Sequence, residues 1–575
     1  MRTLTSLTYA AVVVALVEGA RDLAWVNDND LTKFVTVSHP RIEMDERGGA
    51  DCGLTNVQRP EIKVPLFNIT HKADNGITPG MWFVGPYGDI RQKLQPPKYH
   101  QPCSTGPAIY DGSGQLIWTG ACSMRNQNAC DLRVFHNEAG EEQLSVLMAG
   151  YESGLDGVAA IMDNSFRLTK SFTAPAEEIE INMHEWVVVE GGRSALYLTH
   201  VTRKLDISEL ELENRTTGWV AIPGFREIEL ATGKTLFEWF SQGHVSLSET
   251  TALPPDEAGL AGAHPGWSWF HPNSVDKDPE NNYLLSGRFM DTIYKIGPDG
   301  QIVWRLGGKR SSFTLDGFNF SKQHDARFMS KEGPIETISF FDNARAAHPG
   351  LNVSATSSTS SALIVALNTE SMTATVVQRI SRPDKRRTDL RGNYQTLPNG
   401  NSFVSWADNS YISEHGPDGK LLLEAQWQST RFVTYRAYKF NFTAIPMESP
   451  VLKAFVYGAT PDTSTTAWYV SWNGATEVKE WRFYGERNVT TSVESPLLIG
   501  ISPRDGFETE FASDGYQRLV YAEAVAKNGT VLGKTKAERV SLPRSWASFQ
   551  TSIESPDNIS MMPRVVDTVS VKDEL

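Results

Sequence analysis

Three polar side chains lie within one short segment of the sequence and could act together on a phosphate or sulfate group. They are His271, Arg288 and His324, and the segment spans residues 264–328. The planar fork of an arginine suits a tetrahedral oxyanion, and a histidine exchanges protons near neutral pH. This segment therefore contains the candidate site.

The sequence between these residues predicts strands rather than helices. YLLSGRF, TIYKI and IVWRL are short β-rich runs, and the GPDGQ between the last two is typical of a tight turn. Polar residues at strand ends, repeated around a closed sheet, converge on one mouth of that sheet. The pattern favours a β-propeller, in which distant parts of the chain form one site.

A loose repeat extends this prediction along the chain. From about Met81, a strand, a DG-type turn and a strand ending in an aromatic residue recur at spacings of roughly 50–70 residues. We predict a propeller of about six blades over residues 81–448. Four tryptophans recur in this unit and are expected to pack in blade cores: Trp118, Trp239, Trp304 and Trp427.

The repeat stops near Pro446–Pro450, where a different pattern begins. Residues 451–542 contain short strands separated by turns, such as TAWYVSWNG and RLVYAEAVAKNG. This pattern predicts a β-sandwich of the fibronectin type III or immunoglobulin kind over residues 449–545. The fold class is therefore all-β, with a propeller followed by a sandwich.

The two ends of the chain suggest a compartment. Residues 1–19 combine an early arginine with an apolar run that is too short to span a bilayer, which is typical of a secretory signal peptide. Residues 546–575 form a Ser/Pro-rich tail that ends in the retrieval address Lys572–Leu575, which a KDEL-type receptor would read. We predict residence in the lumen of the endoplasmic reticulum, with secretion as the alternative.

Composition limits the partners. No later apolar run approaches 18 residues, so no integral membrane segment is expected. The formal net charge is −14, from 54 Lys and Arg against 68 Asp and Glu. Such a chain is a poor match for nucleic acid or an anionic membrane. An anionic substrate would need a local basic pocket.

Cysteines and glycosylation sequons point to the same compartment. All four cysteines lie in the first quarter of the chain and are candidates for two disulfides of undetermined pairing, which would attach the N-terminal segment 20–80 to the propeller: Cys52, Cys103, Cys122 and Cys130. Seven sequons are candidate glycan acceptors: Asn68, Asn214, Asn352, Asn441, Asn488, Asn528 and Asn558. An eighth, Asn319, is not expected to be used because it directly precedes the candidate site.

The central segment resembles the arylsulfotransferase family, the PAPS-independent aryl-sulfate sulfotransferases, and in particular its fungal branch. The matching runs are WFHPNSVD, SGRFMDTIYKI, DGQIVWRLGG and FSKQHDARF, within a resemblance over roughly residues 80–450. Their order is more specific than any one of them. The resemblance implies transfer of a sulfuryl group from an aryl sulfate to a phenolic acceptor, with no PAPS, no other cofactor and no metal.

The resemblance also implies a role for each matching residue. His324 in QHD would be the nucleophile that becomes sulfated. His271 in HPNS would donate a proton or hydrogen bond, and Asn273 would help to bind the sulfuryl group. Arg288 in SGR would hold the sulfuryl oxygens, and His184 in HEW would complete the site.

Simpler interpretations of the same residues remain open. His324 could form a loop pair with Asp325, and Arg288 could belong to an ion pair between blades. The family often has Asp where this chain has Ser268, and His where it has Phe289. Four further histidines without a motif are expected to be structural: His200, His244, His264 and His415.

Two other functions also fit the sequence. One is a non-catalytic propeller that binds a glycan or a protein, because fold alone does not fix function. The other is a repurposed propeller enzyme, a cyclase or hydrolase, that acts on a secondary metabolite. The retained histidines and arginine favour an enzyme over the binding module.

Overall fold

The computed structural model describes residues 56–88, 103–149, 157–173, 181–213, 215–256, 260–261, 266–345, 355–407, 410–429, 432–486, 496–543 and 546. The chain divides into two compact units, one formed by residues 1–447 with 473–476 and the other by 448–472 with 477–575. Within the described ranges, no helix has the length and apolar character that crossing a membrane requires.

The first unit is built from short strands that form separate sheets. In chain order its strands are β1 (Phe67–Lys72), β2 (Met81–Gly88), β3 (Ala108–Tyr110), β4 (Leu116–Thr119), β5 (Ala129–His136), β6 (Glu142–Ala149), β7 (Gly157–Asp163), β8 (Leu168–Phe172), β9 (Trp186–Val189), β10 (Ser194–Asp206), β11 (Thr217–Glu229), β12 (Thr235–Phe240), β13 (Pro272–Lys277), β14 (Tyr283–Gly287), β15 (Thr292–Ile296), β16 (Ile302–Gly307), β17 (Thr314–Asp316), β18 (His324–Glu332), β19 (Ile335–Asp342), β20 (Ser361–Asn368), β21 (Thr373–Ser381), β22 (Asn393–Thr396), β23 (Ser402–Ser405), β24 (Ile412–His415), β25 (Leu421–Trp427) and β26 (Phe432–Phe440).

These strands form six sheets among the described residues, and each sheet is one blade of a propeller. Blade 1 has the order β26-β2-β3-β4, blade 2 β5-β6-β7-β8, blade 3 β9-β10-β11-β12 and blade 4 β13-β14-β15-β16. Blade 5 has the order β18-β19-β20-β21-β17, and blade 6 β22-β23-β24-β25-β1. The first strand named in each blade is its inner strand. Inner strands of different blades contact one another, as β26 contacts β5 and β13 contacts β18.

Blade 1 joins the two ends of the propeller. Its inner strand β26 comes from the end of the unit and pairs with β2 from the beginning. The two strands pair antiparallel, and Gly85 on β2 lies so close to blade 2 that a Cβ there would sit 2.2 Å from the carbonyl oxygen of Ala129. A glycine is therefore required where the closing blade meets its neighbour.

Two blades carry a fifth strand. Strand β1 from the N-terminal segment pairs with β25 at the outer edge of blade 6. Strand β17 pairs parallel with β21 at the outer edge of blade 5. Part of the N-terminal segment, residues 20–80, thus extends a blade of the propeller.

Tryptophans and other large apolar residues fill the blade interiors, as predicted from their recurrence. Trp118, Trp239, Trp304 and Trp427 are each at most 4% exposed. The indole N–H of Trp239 donates to the carbonyl of Gly300 in the next blade, at 3.0 Å. These tryptophans therefore stabilise blades rather than bind substrate.

The second unit consists of two sheets, as expected for a β-sandwich. Its strands are β27 (Val451–Tyr457), β28 (Thr465–Ser471), β29 (Val478–Glu486), β30 (Leu497–Pro503), β31 (Glu508–Asp514), β32 (Leu519–Ala526), β33 (Val531–Lys534) and β34 (Glu538–Arg539). One sheet has the order β27-β28-β31 and the other β30-β29-β32-β33, with β34 also paired to β32. Short 3₁₀ turns occur in both units at Glu190–Gly192, Ser208–Leu210, Leu247–Glu249, Arg288–Met290 and Pro461–Thr463.

The cysteines correct one prediction. Cys103 and Cys122 form a disulfide within blade 1, but Cys130 is a buried free thiol. The prediction that Cys130 takes part in a disulfide is therefore wrong. Burial among apolar neighbours explains the difference, because Cys130 is 2% exposed on the inner strand β5. Cys52 lies outside the described residues.

Other predictions made from the ends and from sequons are only partly covered by the structure. The signal peptide and the KDEL tail lie outside the described residues. So do four sequons: Asn214, Asn352, Asn488 and Asn558. The remaining acceptors are exposed: Asn68, Asn441 and Asn528. Asn319 is exposed as well, and their glycosylation stays a prediction.

Candidate active site

Four of the six inner strands carry a β-bulge that places one extra residue at the site. In β13 the extra residue is Asn273, and in β5 it is Cys130. In β18 the irregularity lies between His324 and Arg327, and in β26 it falls at Tyr435 and Arg436 opposite Gly85. A bulge interrupts the alternation of a strand and redirects its side chains.

Left-handed backbone conformations occur at the same places. His271 has φ 54°, Asp325 has φ 54° and Arg391 has φ 64°. Residues other than glycine adopt this region uncommonly, although Asp and His do so more often than an arginine, and such conformations are concentrated at functional sites. The bulges and these residues together turn the starts of the inner strands toward one another.

The structure brings together the residues predicted to be catalytic. The rings of His184 and His271 lie 4.7 Å apart between centroids and meet edge to face. The ring of Phe289 lies 4.8 Å from that of His271, and the guanidinium of Arg288 lies 5.0 Å above Phe289. Residues from blades 3 and 4, and the turn after β14, therefore form one cluster.

His324 joins this cluster through Tyr435. The Tyr435 ring centroid is 5.5 Å from that of His184 and 6.4 Å from that of His324. Tyr435 is 1% exposed, and among the described residues its hydroxyl has no hydrogen-bond partner. An unpaired buried hydroxyl is costly, so its retention in the site suggests a ligand that it contacts. Sequence reasoning missed Tyr435, because TYRA resembles any other inner strand.

The two ring nitrogens of His324 have separate partners. Nδ1 lies 2.6 Å from Oδ1 of Asn343 and 3.0 Å from the carbonyl oxygen of Lys322. The backbone N–H of Arg391 points at Nε2 from 3.3 Å. The loop pair with Asp325 is not formed: that carboxylate bonds Arg327 at 2.7 Å instead. The simpler interpretation of His324 is therefore wrong.

Arg288 is buried but uncompensated. It is 6% exposed, and its one direct hydrogen bond is to the carbonyl oxygen of Asp389, at 3.5 Å. Nε has no partner, and no carboxylate in the described part of the chain pairs with the guanidinium. An interblade ion pair is thus not formed. Burial, assisted by nearby Arg345 and Arg391, lowers the pKa of Arg288 to about 10, and the side chain stays charged at neutral pH.

Asn273 contacts the backbone of Gln323, the residue that precedes His324. Its amide N–H donates to the carbonyl oxygen of Gln323 at 2.6 Å. Its Oδ1 is buried and without a partner among the described residues. Asn273 thus ties blade 4 to the QHD turn and keeps one polar atom free, which can accept a hydrogen bond from a ligand but cannot donate one.

The three histidines of the site are held neutral. Burial is the largest cause of the low pKa of His184, which falls to about 3. Burial also lowers the pKa of His271 and His324 well below the ordinary value, and the charge of Arg288 adds to the effect in each case. A neutral imidazole retains the lone pair that a nucleophile or base needs.

A network of ion pairs lies directly behind these residues. Glu185, which follows His184, accepts from Arg133 at 2.9 Å, from Arg327 at 2.6 Å and from Arg436 at 2.8 Å. Arg436 also bonds Asp131 at 2.6 Å. These contacts join inner strands of several blades, and they compensate the buried charges.

The other motif-less histidines lie elsewhere. His200 and His415 are buried within strands, 7% and 4% exposed, and His415 bonds Ser413 at 2.9 Å. His244 packs against Trp239 at 5.3 Å, and His264 lies outside the described residues. The three described histidines thus have structural surroundings, as predicted.

Comparison with known proteins identifies the family of this region. Residues 157–428 match the arylsulfotransferase (ASST) family. The matched residues contain His184, His271, Arg288 and His324. The resemblance inferred from the sequence motifs is therefore confirmed at the level of the family over residues 157–428, and the fungal branch stays a prediction.

Other comparisons give weak structural likenesses. Virginiamycin B lyase from Staphylococcus aureus in its selenomethionine-substituted form aligns at 9% identity, covering 64% of this chain and 98% of the other, with a TM-score of 0.28. A catalytically inactive variant of that lyase with quinupristin gives 9% identity, 52% and 70% coverage, and a TM-score of 0.27. The GH43 BlXynB protein from Bacillus licheniformis gives 6% identity, 71% and 89% coverage, and a TM-score of 0.26. No curated protein sequence matches the chain.

Proposed function

We propose that this protein transfers a sulfuryl group from an aryl sulfate to a phenolic acceptor through a sulfo-histidine intermediate on His324. The observation that carries the proposal is a neutral, buried His324 under the electrostatic influence of a buried Arg288 that has no carboxylate ion pair among the described residues. A neutral nucleophile next to a fixed positive charge suits an anionic electrophile that must be held while it reacts.

In the first half-reaction, the lone pair of His324 attacks the sulfur of the aryl sulfate. The bond between sulfur and the aryl oxygen breaks, and the phenolate leaves with that electron pair. Arg288 and the hydroxyl of Tyr435 stabilise the charge on the sulfuryl oxygens. His184 and His271 lie beside them and, as neutral rings, donate hydrogen bonds to the leaving phenolate, which then takes its proton from water.

In the second half-reaction, a phenolic oxygen attacks the same sulfur and the bond from sulfur to nitrogen breaks. The electron pair of that bond returns to His324, and the acceptor proton replaces the one taken by the first phenol. One phenol has then exchanged its sulfuryl group with another, with no net gain or loss of protons. The chemistry needs no nucleotide or metal, in line with the resemblance.

The same proposal includes a location. A signal peptide over residues 1–19 and the retrieval address Lys572–Leu575 would place the enzyme in the lumen of the endoplasmic reticulum, with a KDEL-type receptor as partner. Exposed sequons on the described surface, such as Asn68 and Asn528, are compatible with glycosylation there. Immunofluorescence of the full chain, with and without its last four residues, tests the location.

The reaction is tested by intact-mass measurement after brief incubation with p-nitrophenyl sulfate. We expect wild type to gain the mass of one SO₃ group and to release nitrophenolate. His324→Ala should show neither, with transfer reduced by at least about 1,000-fold. His136→Ala, which changes an exposed histidine at the far end of β5, is the matched control. An active His324→Ala variant, or a modified peptide without His324, would contradict the assignment.

A further inference from the structure

Asn343, which follows strand β19, controls the chemistry of His324, although it belongs to none of the matching motifs. Its side-chain Nδ2 donates to the carbonyl oxygens of Thr388 at 2.7 Å and Arg391 at 2.9 Å. Carbonyl oxygens only accept, so the orientation of this buried amide is determined. Its Oδ1 must be the atom that faces Nδ1 of His324.

This orientation determines the tautomer of His324. Asn343 Oδ1 and the carbonyl oxygen of Lys322 both accept, at 2.6 and 3.0 Å from Nδ1. Nδ1 must therefore carry the hydrogen. On the other side of the ring, the N–H of Arg391 can only donate, so Nε2, at 3.3 Å, must carry the lone pair. Three independent partners agree on one tautomer.

Asn343 acts on both sides of the ring. Its Oδ1 accepts from Nδ1, and its Nδ2 holds the backbone of Arg391, whose own N–H faces Nε2. Arg391 has φ 64°, a conformation that an arginine rarely adopts and that these hydrogen bonds stabilise. Asn343 is 0% exposed, so water does not compete for its hydrogen bonds.

We infer that Asn343 is the positioning residue that makes Nε2 of His324 the sulfur acceptor and that keeps the sulfo-histidine reactive. The tautomer rests on geometry alone, whereas both chemical roles rest on the proposed function. When Nε2 takes the sulfuryl group, its hydrogen bond from the N–H of Arg391 breaks, the hydrogen stays on Nδ1 and the ring becomes positively charged. An amide oxygen stabilises that charge less than a carboxylate would. The nitrogen is therefore a good leaving group when the acceptor attacks.

The tautomer can be measured without any substrate. In protein labelled with ¹⁵N in histidine alone, His324→Gln identifies the signals of His324 by their loss. We expect wild type to show a protonated Nδ1 and an unprotonated Nε2 from neutral pH down to about pH 6, because the ring is held neutral. A hydrogen on Nε2 would overturn the inference.

The leaving-group argument is tested with Asn343→Asp. The carboxylate should raise the pKa of His324 and stabilise the charged sulfo-histidine. We expect the sulfo-enzyme to accumulate during turnover, kcat to fall by about 10-fold or more, and the acid limb of the rate profile to move to higher pH. Asn343→Ala should slow formation of the sulfo-enzyme instead, since Nδ1 of His324 loses its closer acceptor and the Arg391 carbonyl loses the donor that holds it.

Asn393 provides a matched control. It is equally buried and its amide bonds Ala437 through both Oδ1 and Nδ2, at 2.9 Å each, without touching a histidine. Asn393→Asp and Asn393→Ala should lower stability but leave the pH profile in place. If the Asn343 variants matched them in pH profile and in sulfo-enzyme level, Asn343 would be structural only.

Failure of the two proposals can be told apart. If wild type forms no sulfo-enzyme, the proposed function fails, and the ¹⁵N spectrum still decides the tautomer. If wild type forms the sulfo-enzyme but Nε2 carries the hydrogen, the proposed function survives and the role of Asn343 is rejected.

Discussion

Two adjacent layers of the propeller differ in how buried charge is compensated. We call them the ion-pair layer, which contains Glu185 and Arg436, and the site layer, which contains His184, His271, Arg288 and His324. In the ion-pair layer, Glu185 and Arg436 are fully buried and bond each other at 2.8 Å. In the layer in front of it, Arg288 is buried without a carboxylate, and the three histidines are kept neutral. The layers differ by one residue along the chain, since Glu185 follows His184 and Asp325 follows His324.

This difference separates stability from chemistry. In the ion-pair layer, opposite charges raise the pKa of Arg436 well above its ordinary value and lower the pKa of Glu185, so that both stay charged. In the site layer, the charge of Asp291 offsets the burial of Arg288 only in part, so the pKa of Arg288 stays lowered and an anionic ligand would compensate its charge. The buried histidines stay neutral. The ion-pair layer holds the inner strands together, and the site layer keeps a buried positive charge that can bind an anionic ligand.

The largest expected effect comes from breaking the ion-pair layer. Glu185→Leu removes the shared partner of Arg133, Arg327 and Arg436 and leaves their charges buried. We expect the free energy of unfolding to fall by about 3–5 kcal/mol, the usual result of removing one partner of a buried pair. Urea unfolding of the propeller measures it.

A matched control for this variant is Glu280→Leu. Glu280 pairs with Lys331 at 2.5 Å, and the two side chains are 56% and 44% exposed. A loss of less than about 1 kcal/mol is expected there, because solvent screens the pair. Equal losses in the two variants would show that the buried network is no more stabilising than a surface pair.

The next effect is on activity alone. Tyr435→Phe removes a hydroxyl that has no partner among the described residues and keeps the ring between His184 and His324. We expect sulfuryl transfer to slow by about 100-fold, as for loss of one oxyanion donor. Stability should not fall, since no hydrogen bond is lost.

Tyr394→Phe is the control for the tyrosine variant. The Tyr394 hydroxyl is also buried but bonds Ser402 at 3.1 Å, so its removal should cost stability and leave transfer unchanged. Rate measurements beside thermal unfolding separate the two cases. An unaltered rate in Tyr435→Phe would exclude the hydroxyl from the reaction.

The pH dependence of the site layer gives a third prediction. In the folded protein the pKa of His184 is about 3, and the pKa values of His271 and His324 are also depressed. Unfolded histidines titrate near about 6.5. The contribution of these neutral histidines to the free energy of unfolding is thus fully present above about pH 6.5. It is lost as the pH falls from there toward their folded pKa values.

Activity should follow a different course from stability. Because His324 remains neutral in the folded state, formation of the sulfo-enzyme should persist below about pH 6, where an ordinary histidine is protonated. Rapid-quench rates between about pH 5 and 8, at temperatures where the protein is folded, test this. A rate that falls with an apparent pKa near 6.5 would contradict it.

The layers also explain how far sequence reasoning reached. HPNS, SGR and QHD are local motifs whose residues stand at strand ends, so His271, Arg288 and His324 could be predicted. Tyr435 and Asn343 could not, because their roles depend on pairing between distant strands. Tyr435 lies on β26, which pairs with β2 at the other end of the unit.

The disulfide prediction failed at Cys130 for a related reason, and the ion-pair network of Glu185 was not foreseen. Cys130 and Glu185 look unremarkable in sequence, and their surroundings come from several blades. The bulges that redirect Asn273 and Tyr435 leave no pattern in a strand of this length. Blade count and blade cores, in contrast, follow from repeated local sequence and were predicted.

The smallest expected effect concerns Phe289, where the family often has histidine. The half-buried Phe289 ring lies against His271 at 4.8 Å and beneath Arg288 at 5.0 Å. It offers an apolar face at the edge of a positively charged site, which suits the ring of an aryl substrate. Phe289→His should raise the KM for an apolar acceptor such as naphthol by about 2- to 10-fold and change kcat little, since an aromatic contact contributes about that much.

Phe237→His, in a half-buried stack on Tyr283 at 4.4 Å, controls for the general effect of the substitution. A change in kcat at constant KM would instead place residue 289 in the chemical step, because uniform binding affects KM alone.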